Sequence, residues 1–326
     1  MNNQKEAVLG ALLDISIIIV NYNSLDFIKK CISSIREHTG KNRLTYEILV
    51  VDNNSSDGSV EYLKEQVKKN NSFYLIANKN NEGFSRASNM GALKAKGEYL
   101  LFLNPDTRFI SGSLGELVDF YSKEDRTGRP GVVGAKILNS DGTLQFSSRS
   151  FPTLARQFYE SYFLYRIFKK SRIFGSYFLS WWDHNSQKEV DWVAGSFMFI
   201  RKDYFMEAGM FDEDYFMYSE DSDLCLKLYR KGYKNYYFPY FVIEHADSGI
   251  ASGNMAAREA GIWKSRRLYF KKNYSAVYAG YSSFLYLAGV LNRILLFIVL
   301  SIFKPGSKNR ARLAEYFRVL RLYFKG

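Results

Sequence analysis

Ile15-Ser16-Ile17-Ile18-Ile19-Val20-Asn21-Tyr22-Asn23 opens the patterned part of the chain, and Glu47-Ile48-Leu49-Val50-Val51-Asp52-Asn53-Asn54-Ser55-Ser56-Asp57 repeats its form. Each is a short apolar run, rich in β-branched residues, that stops at a polar cluster. An unbroken run has no solvent-facing side, so it reads as a strand covered on both faces, the habit of parallel sheets. Between the two runs, Phe27, Cys31, Ile32 and Ile35 recur at helical spacing, which gives β-α-β. Residues 74–77 and 99–103 are further runs with a helical segment at 85–95 between them. The fold class is therefore α/β, with a mostly parallel central sheet flanked by helices.

Sheets of this kind bind ligands beyond the carboxyl ends of their strands. The polar clusters fall there: Asn21 and Asn23 after the first strand, Asp52 to Asp57 after the second, Asn81 and Gly83 after the third, Asn104 and Asp106 after the fourth. From about residue 131 the alternation loosens, and 151–182 is an aromatic and basic stretch that reads as helical and partly interfacial. A second block, 190–201, 220–231 and 236–245, reads as strand, helix, strand. Residues 274–303 contain one charged residue, Arg293, beside Asn292; they read as a re-entrant or interfacial helix pair at least as readily as one span.

The 326 residues, 47% of them hydrophobic, suffice for a large core. Cys31 and Cys225 show no paired spacing, which argues against a disulfide scaffold or thiolate zinc site and suits a reducing cytoplasm. Met1 to Leu13 lack a basic start and a long apolar run, so no signal peptide is expected. The charge balance, 45 − 33 = +12, calls for a polyanionic partner. Basic residues crowd at Lys169, Lys170 and Arg172 and again from Lys264 to Lys325, among aromatic and aliphatic residues. That mixture favours an anionic membrane surface over nucleic acid.

Asp52 ends the second strand with an acceptor side chain at the sheet mouth, suited to a nucleotide base or ribose, while Asp57 reads as a helix cap. Residues 81–91, with Asn81, Gly83 and Asn89, open a helix with small residues, serving either close ligand approach or tight packing. Asp106 offers a hard oxygen ligand that Mg2+ or Mn2+ favours, provided other ligands converge on it; His245, at the end of a late strand, is a candidate. Ser219-Glu220-Asp221-Ser222-Asp223 is the densest acidic cluster. Crowded carboxylates raise one another's pKa toward the range of a general base, and they also suit a helix start. Trp192 and Gly195, just upstream, offer an aromatic face and a small-residue floor for a sugar, with core packing the equal rival for Trp192.

In their order along 15–250, these stretches resemble the inverting glycosyltransferases of family 2, within them the rhamnosyltransferase-like branch. The resemblance implies a GT-A fold, with a nucleotide-sugar-binding half at 15–130 and an acceptor-binding and catalytic half at 131–250; the basic and aromatic 251–326 is expected to be a helical, membrane-associating region. It implies a nucleotide-diphosphate sugar held by Asn21, Asn23, Asp52, Asn81, Gly83, Asn89 and Asn104, and an acceptor held by Trp192, Gly195 and Glu220. Asp221 stands where the family has its base, and Asp106 with His245 where it has metal ligands for Mg2+ or Mn2+. Asn104 replaces the first acid of the family's Asp-any-Asp motif, and Lys227 stands where many relatives have arginine. The implied reaction is transfer, with dTDP-rhamnose as the expected donor, to a lipid-linked or cell-surface glycan at the cytoplasmic face of the membrane. The rival expectations are a membrane-bound scaffold without turnover and a sugar nucleotidyltransferase. The latter wants a glycine-rich basic loop that Val20-Asn21-Tyr22-Asn23 is not.

Overall fold

The computed structural model describes residues 13–39, 44–246, 255–303 and 306–325. Most of the start read for targeting signals, and the boundary expected at 250, lie outside the described residues. The chain begins β1 (Ile15–Asn21), α1 (Leu25–Thr39), β2 (Tyr46–Asp52), α2 (Ser59–Lys69), β3 (Phe73–Ala77), α3 (Gly83–Lys94) and β4 (Tyr99–Leu103). Next come β5 (Thr107–Ser111), α4 (Leu114–Thr127), β6 (Pro130–Leu138), β7 (Leu144–Gln145), β8 (Ser148–Arg149), α5 (Leu154–Ser161) and α6 (Leu164–Ile167). The second half holds β9 (Lys188–Val190), β10 (Trp192–Val193), β11 (Phe197–Arg201), α7 (Lys202–Glu207), α8 (Glu220–Arg230) and β12 (Lys234–His245). Three helices follow, α9 (Met255–Asn273), α10 (Ala276–Phe303) and α11 (Ser307–Lys325).

The main sheet runs β3-β2-β1-β4-β11-β6-β12-β5, with β7 added on β6 and β9 on β12. β1 to β4 are mutually parallel, as is β6 with β12, while β11 lies antiparallel between β4 and β6. Side chains alternate across a strand, so each run feeds two cores. Ile18, Val20, Leu49, Val51, Leu100 and Phe102 point into one. Ile17, Ile19, Ile48, Val50, Leu101 and Leu103 point into the other. Burying β1 and β2 on both faces leaves their polar residues only the strand ends, and that arrangement puts Asn21 and Asp52 side by side in register.

Three expectations are corrected. Residues 274–303 do not break into a helix pair: α10 is continuous, because Arg293 is accommodated on its flank with its guanidinium 5.1 Å from the Phe163 ring centre. Residues 151–182 are helical only in α5 and α6. Beyond them the backbone turns, with Leu179 at positive φ and Gly175 pressed against the Ser171 carbonyl and Ser180. Residues 190–201 are not one strand. Asp191 leaves the ladder to accept the Phe151 amide at 2.7 Å, and 194–196 bulge out between β10 and β11.

α3 is clasped to the segment that precedes α8. Asn89 donates to the Phe211 carbonyl at 2.9 Å and accepts the Phe211 amide at 3.1 Å, and the Phe84 amide reaches the Phe216 carbonyl at 2.7 Å. Gly83 makes the close approach possible: its φ is +79°, and a Cβ there would lie 2.5 Å from the Phe216 carbonyl oxygen. Gly83→Ala is expected to lower stability by at least about 1–3 kcal/mol, the range for a non-glycine residue held at positive φ, measured as a lower urea midpoint at unchanged m-value; an unshifted midpoint would refute the clasp.

Candidate active site

Asp52 is enclosed. Its Oδ2 accepts from Asn21 Nδ2 and from Ser55 Oγ, both at 2.7 Å, and its Oδ1 accepts the Ser55 amide at 2.9 Å. Asn23, at φ +47°, accepts the Ser56 amide at 2.8 Å, so β1 and β2 share one hydrogen-bonded mouth. Asp57 caps two helices rather than one, taking the Leu25 amide of α1 at 2.8 Å and the Ser59 amide of α2 at 3.1 Å. Asn81 accepts the Gly83 amide at 3.1 Å, and the Asn89 side chain is fully used in the clasp to Phe211. Asn21, Asn23, Asp52, Asn81, Gly83 and Asn89 thus organise the strand-end loops, and Asn104 is the one donor-side candidate that lines the cavity described next.

That cavity, of about 510 Å³, brings together Asn104, Trp192, Gly195, Glu220, Asp221 and His245. His245 arrives because β12 pairs antiparallel with β5 in a register that sets it opposite Thr107, next to Asp106. Its Nε2 lies 3.2 Å from Asp106 Oδ1 and 3.3 Å from Asn104 Nδ2. Its Nδ1 lies 2.8 Å from Gln145 Oε1, which holds the ring from behind. A carboxylate oxygen and an imidazole nitrogen on one spot fit a divalent cation, with the ring oriented from behind as metal-binding histidines are. Among the described residues no group of three or more His, Cys, Asp or Glu converges, so most of such an ion's sphere is left to Asn104, water or ligand oxygens.

Glu220 and Asp221 open α8, and the two residues before them, Tyr218 and Ser219, stand at φ +72° and +68°. This consecutive left-handed pair turns the helix start so that both acids line the cavity. Asp221 Oδ2 accepts the Gly195 amide at 2.9 Å and Oδ1 the Ser222 amide at 2.7 Å, which favour the ionised form. Burial outweighs them and raises the Asp221 pKa, while the charge of Arg149 pulls it down. Burial, together with the Asp221 charge, pushes Glu220 well above the usual carboxylate range. Trp192 contributes packed wall rather than an open face: its indole donates to the Ser150 carbonyl at 2.9 Å, and Arg149 covers the ring at 5.1 Å.

A buried acid beside a small-residue loop, near a carboxylate and imidazole pair at a sheet mouth, is the site layout that the resemblance implies. The Glycosyl transferase family 2 pattern matches residues 16–182, half of the chain, and Glycosyl transferase family group 2 matches 152–303. The chain belongs to glycosyl transferase family 2, and it is a glycosyltransferase. Rhamnosyltransferase WbbL of Escherichia coli is 30% identical over 246 residues, 70% of this chain and 82% of that protein. An N-acetylglucosaminyl-diphospho-decaprenol L-rhamnosyltransferase of Mycobacterium tuberculosis is 24% identical over 278 residues, 79% of this chain and 84% of the relative. The mannosyltransferase PcManGT from Pyrobaculum calidifontis, solved with GDP-Man and Mn2+, superposes with a TM-score of 0.58 at 13% identity, covering 95% of this chain and 86% of that one. The last likeness establishes the fold, which is GT-A.

Within this glycosyltransferase two residues escaped the reading of the sequence, Gln145 and Arg149. Both sit on two-residue strands without periodicity, and only tertiary pairing brings them to the site. Lys227, in the place of an arginine, pairs with Asp223 of the same helix at 2.8 Å and does not line the cavity. Gln145→Leu removes the acceptor that holds the His245 ring, and is expected to weaken Mn2+ binding about 10–100-fold, the usual effect of losing such a partner. Calorimetric titration of the free protein measures this; undiminished affinity would show that His245 needs no such support.

Proposed function

We propose that the enzyme transfers rhamnose from dTDP-rhamnose, with inversion, to a hydroxyl of a lipid-linked or cell-surface glycan at the cytoplasmic face of the cell membrane. The observation that carries this reading is one cavity lined both by Asp221, a part-buried carboxylate, and by His245, the imidazole that touches Asp106. The two rhamnosyltransferase relatives support the choice of sugar, and one of them is named for a diphosphate-linked lipid acceptor.

In this reading the loops around Asp52, Asn81 and Gly83 seat the nucleotide. Asn104 meets its diphosphate, and Gly195, Glu220 and the Trp192 wall border the acceptor. Asp221 takes the proton of the acceptor hydroxyl as that oxygen bonds to the anomeric carbon. The carbon–oxygen bond to the diphosphate breaks on the opposite face, and the nucleoside diphosphate leaves with the electron pair. Asp106 and His245 would hold Mg2+ or Mn2+, which when bound supplies Lewis-acid neutralisation of the departing diphosphate. The Gly195 and Ser222 amides fix both Asp221 oxygens, so the base is aimed before the acceptor arrives.

Membrane attachment is supported by α10, which is 28 residues long and apolar enough to cross a bilayer by length and composition. One face is seated: Gln157 of α5 and Ser282 exchange hydrogen bonds at 2.7 and 2.8 Å, and Gly289 lies against Ser161. The opposite stripe, Val277, Phe284, Leu295 and Ile302, is 61–68% exposed, an apolar face that water would not leave uncovered. Exposed Ile167, Phe168 and Ile173 flank Lys169, Lys170 and Arg172, a mixture suited to lipid headgroups.

Asp221→Asn keeps the side-chain shape and removes the base; transfer from dTDP-rhamnose should fall by about 10²–10⁴-fold in kcat. Because the base must be ionised and its pKa is raised, the acid limb of wild-type kcat/KM should lie above the pH range of an ordinary aspartate. Turnover by the asparagine variant at the wild-type rate would remove Asp221 from the role. For the membrane, Phe284→Asp, Leu295→Asp and Ile302→Asp combined should abolish co-flotation with anionic lipid vesicles; unchanged flotation would place the contact elsewhere.

A further inference from the structure

Arg149 lies on the cavity wall, paired across β8 and β10 with Trp192. Its guanidinium carbon is 5.1 Å from the ring centres of Trp192 and Phe178 and 5.8 Å from that of Tyr177. Nε donates to the Phe146 carbonyl at 2.9 Å. Neither Nη has a hydrogen-bond partner, and no carboxylate stands within ion-pair distance, among the described residues. Arg266 and Glu259, also on this wall, have partners of their own. Arg266 holds Glu160 at 2.6 Å and Tyr177 Oη at 3.1 Å; Glu259 accepts from Tyr286 Oη at 3.3 Å. A guanidinium oriented by three aromatic faces, with its forked end open to a cavity, is built for an oxyanion that brings two oxygens.

Two phosphates can enter such a cavity, the donor's and one on the acceptor. Asp106 and His245 supply the donor's site in the reading above. Arg149 belongs to the other side: its strand partner is the Trp192 wall, and its charge acts on Asp221. The same wall includes Ile262 and Arg266 of α9, and α9 leads through Asn273 directly into α10 with its exposed apolar stripe. Base and open cation thus share one cavity with α9, the helix that continues into the apolar α10.

Resting on that proposed function, we propose that Arg149 is the oxyanion clamp of the acceptor subsite. It takes two oxygens of a phosphate or diphosphate whose attached sugar presents its hydroxyl to Asp221. The acceptor is then a short glycosyl phosphate lipid, one sugar away from its phosphate, and not a long neutral glycan.

The test uses the full-length protein in detergent with dTDP-rhamnose and a matched pair of acceptors: N-acetylglucosaminyl diphosphate on a short prenyl chain, and octyl N-acetylglucosaminide. Wild type should prefer the diphosphate acceptor in kcat/KM by about ten-fold or more, the scale of a charge-assisted hydrogen-bonded pair. In Arg149→Gln the preference should collapse toward unity through the acceptor KM, with the donor KM little changed. Arg149→Lys, which keeps the charge and loses the fork, should retain part of it. A wild type without preference, a preference that survives Arg149→Gln, or a rise confined to the donor KM would each overturn the clamp. Should Arg149→Gln not fold, Arg149→Lys together with butyl phosphate inhibition of wild type decides: competition against the acceptor supports the clamp, competition against the donor alone refutes it. A wild type that uses neither acceptor overturns the proposed function together with the clamp, whereas equal use of both overturns the clamp alone.

Discussion

Covering a parallel sheet on both faces is the constraint from which the rest follows. β1, β2 and β4 contribute alternate side chains to two separate cores. Even at the opposite ends of these strands a buried polar residue is paired, as Ser16 donating to Glu47 at 2.6 Å shows. Polar chemistry is displaced to the carboxyl ends, where backbone direction changes and loops can be shaped. Asn21, Asp52 and Asn104 come close in space for that reason, although they are far apart in sequence. β12 obeys the same rule from the other half of the chain, ending in His245 where β5 begins.

What could be read in advance was whatever this constraint writes locally. The four early strands, the helices between them and the polar stops were legible because contiguous apolar runs and helical spacing are local signals. So was the acidic start of α8. Gln145 and Arg149 were not legible: they enter the site through short pairings with β6 and β10, and nothing in the neighbouring residues marks them. The choice left open for α10, helix pair or one span, has a different origin. Arg293 in an apolar run looks like a break when its lodging against Phe163 cannot be seen. Asp52 shows the opposite limit, since its position was legible while its enclosure by Asn21 and Ser55 was not.

The site also distributes strain and order unevenly. Consecutive left-handed residues, Tyr218 and Ser219, sit immediately before the acid pair; each costs on the order of 1–3 kcal/mol unless its surroundings enforce it. The enforcement is visible in Ser265 of α9, which donates to the Met217 carbonyl at 2.7 Å, and in the clasp of α3 onto Phe211 and Phe216. A helix of the C-terminal region thereby braces the loop that aims Asp221. The C-terminal helices are coupled mechanically to the acid pair at the start of α8.

The bulge between β10 and β11 has one more implication. The Ser196 carbonyl accepts the Asn104 amide at 3.3 Å, and its neighbour Gly195 donates to Asp221 at 2.9 Å. Adjacent residues therefore touch the strand end beside His245 and the Asp221 carboxylate, and consecutive Cα atoms are always about 3.8 Å apart. The Asn104 strand end and the Asp221 carboxylate are thus gauged against each other by a single peptide unit, which cannot stretch. A substitution that lengthened or displaced 194–196 would therefore shift both contacts together, while changes in the cavity walls would leave them in place.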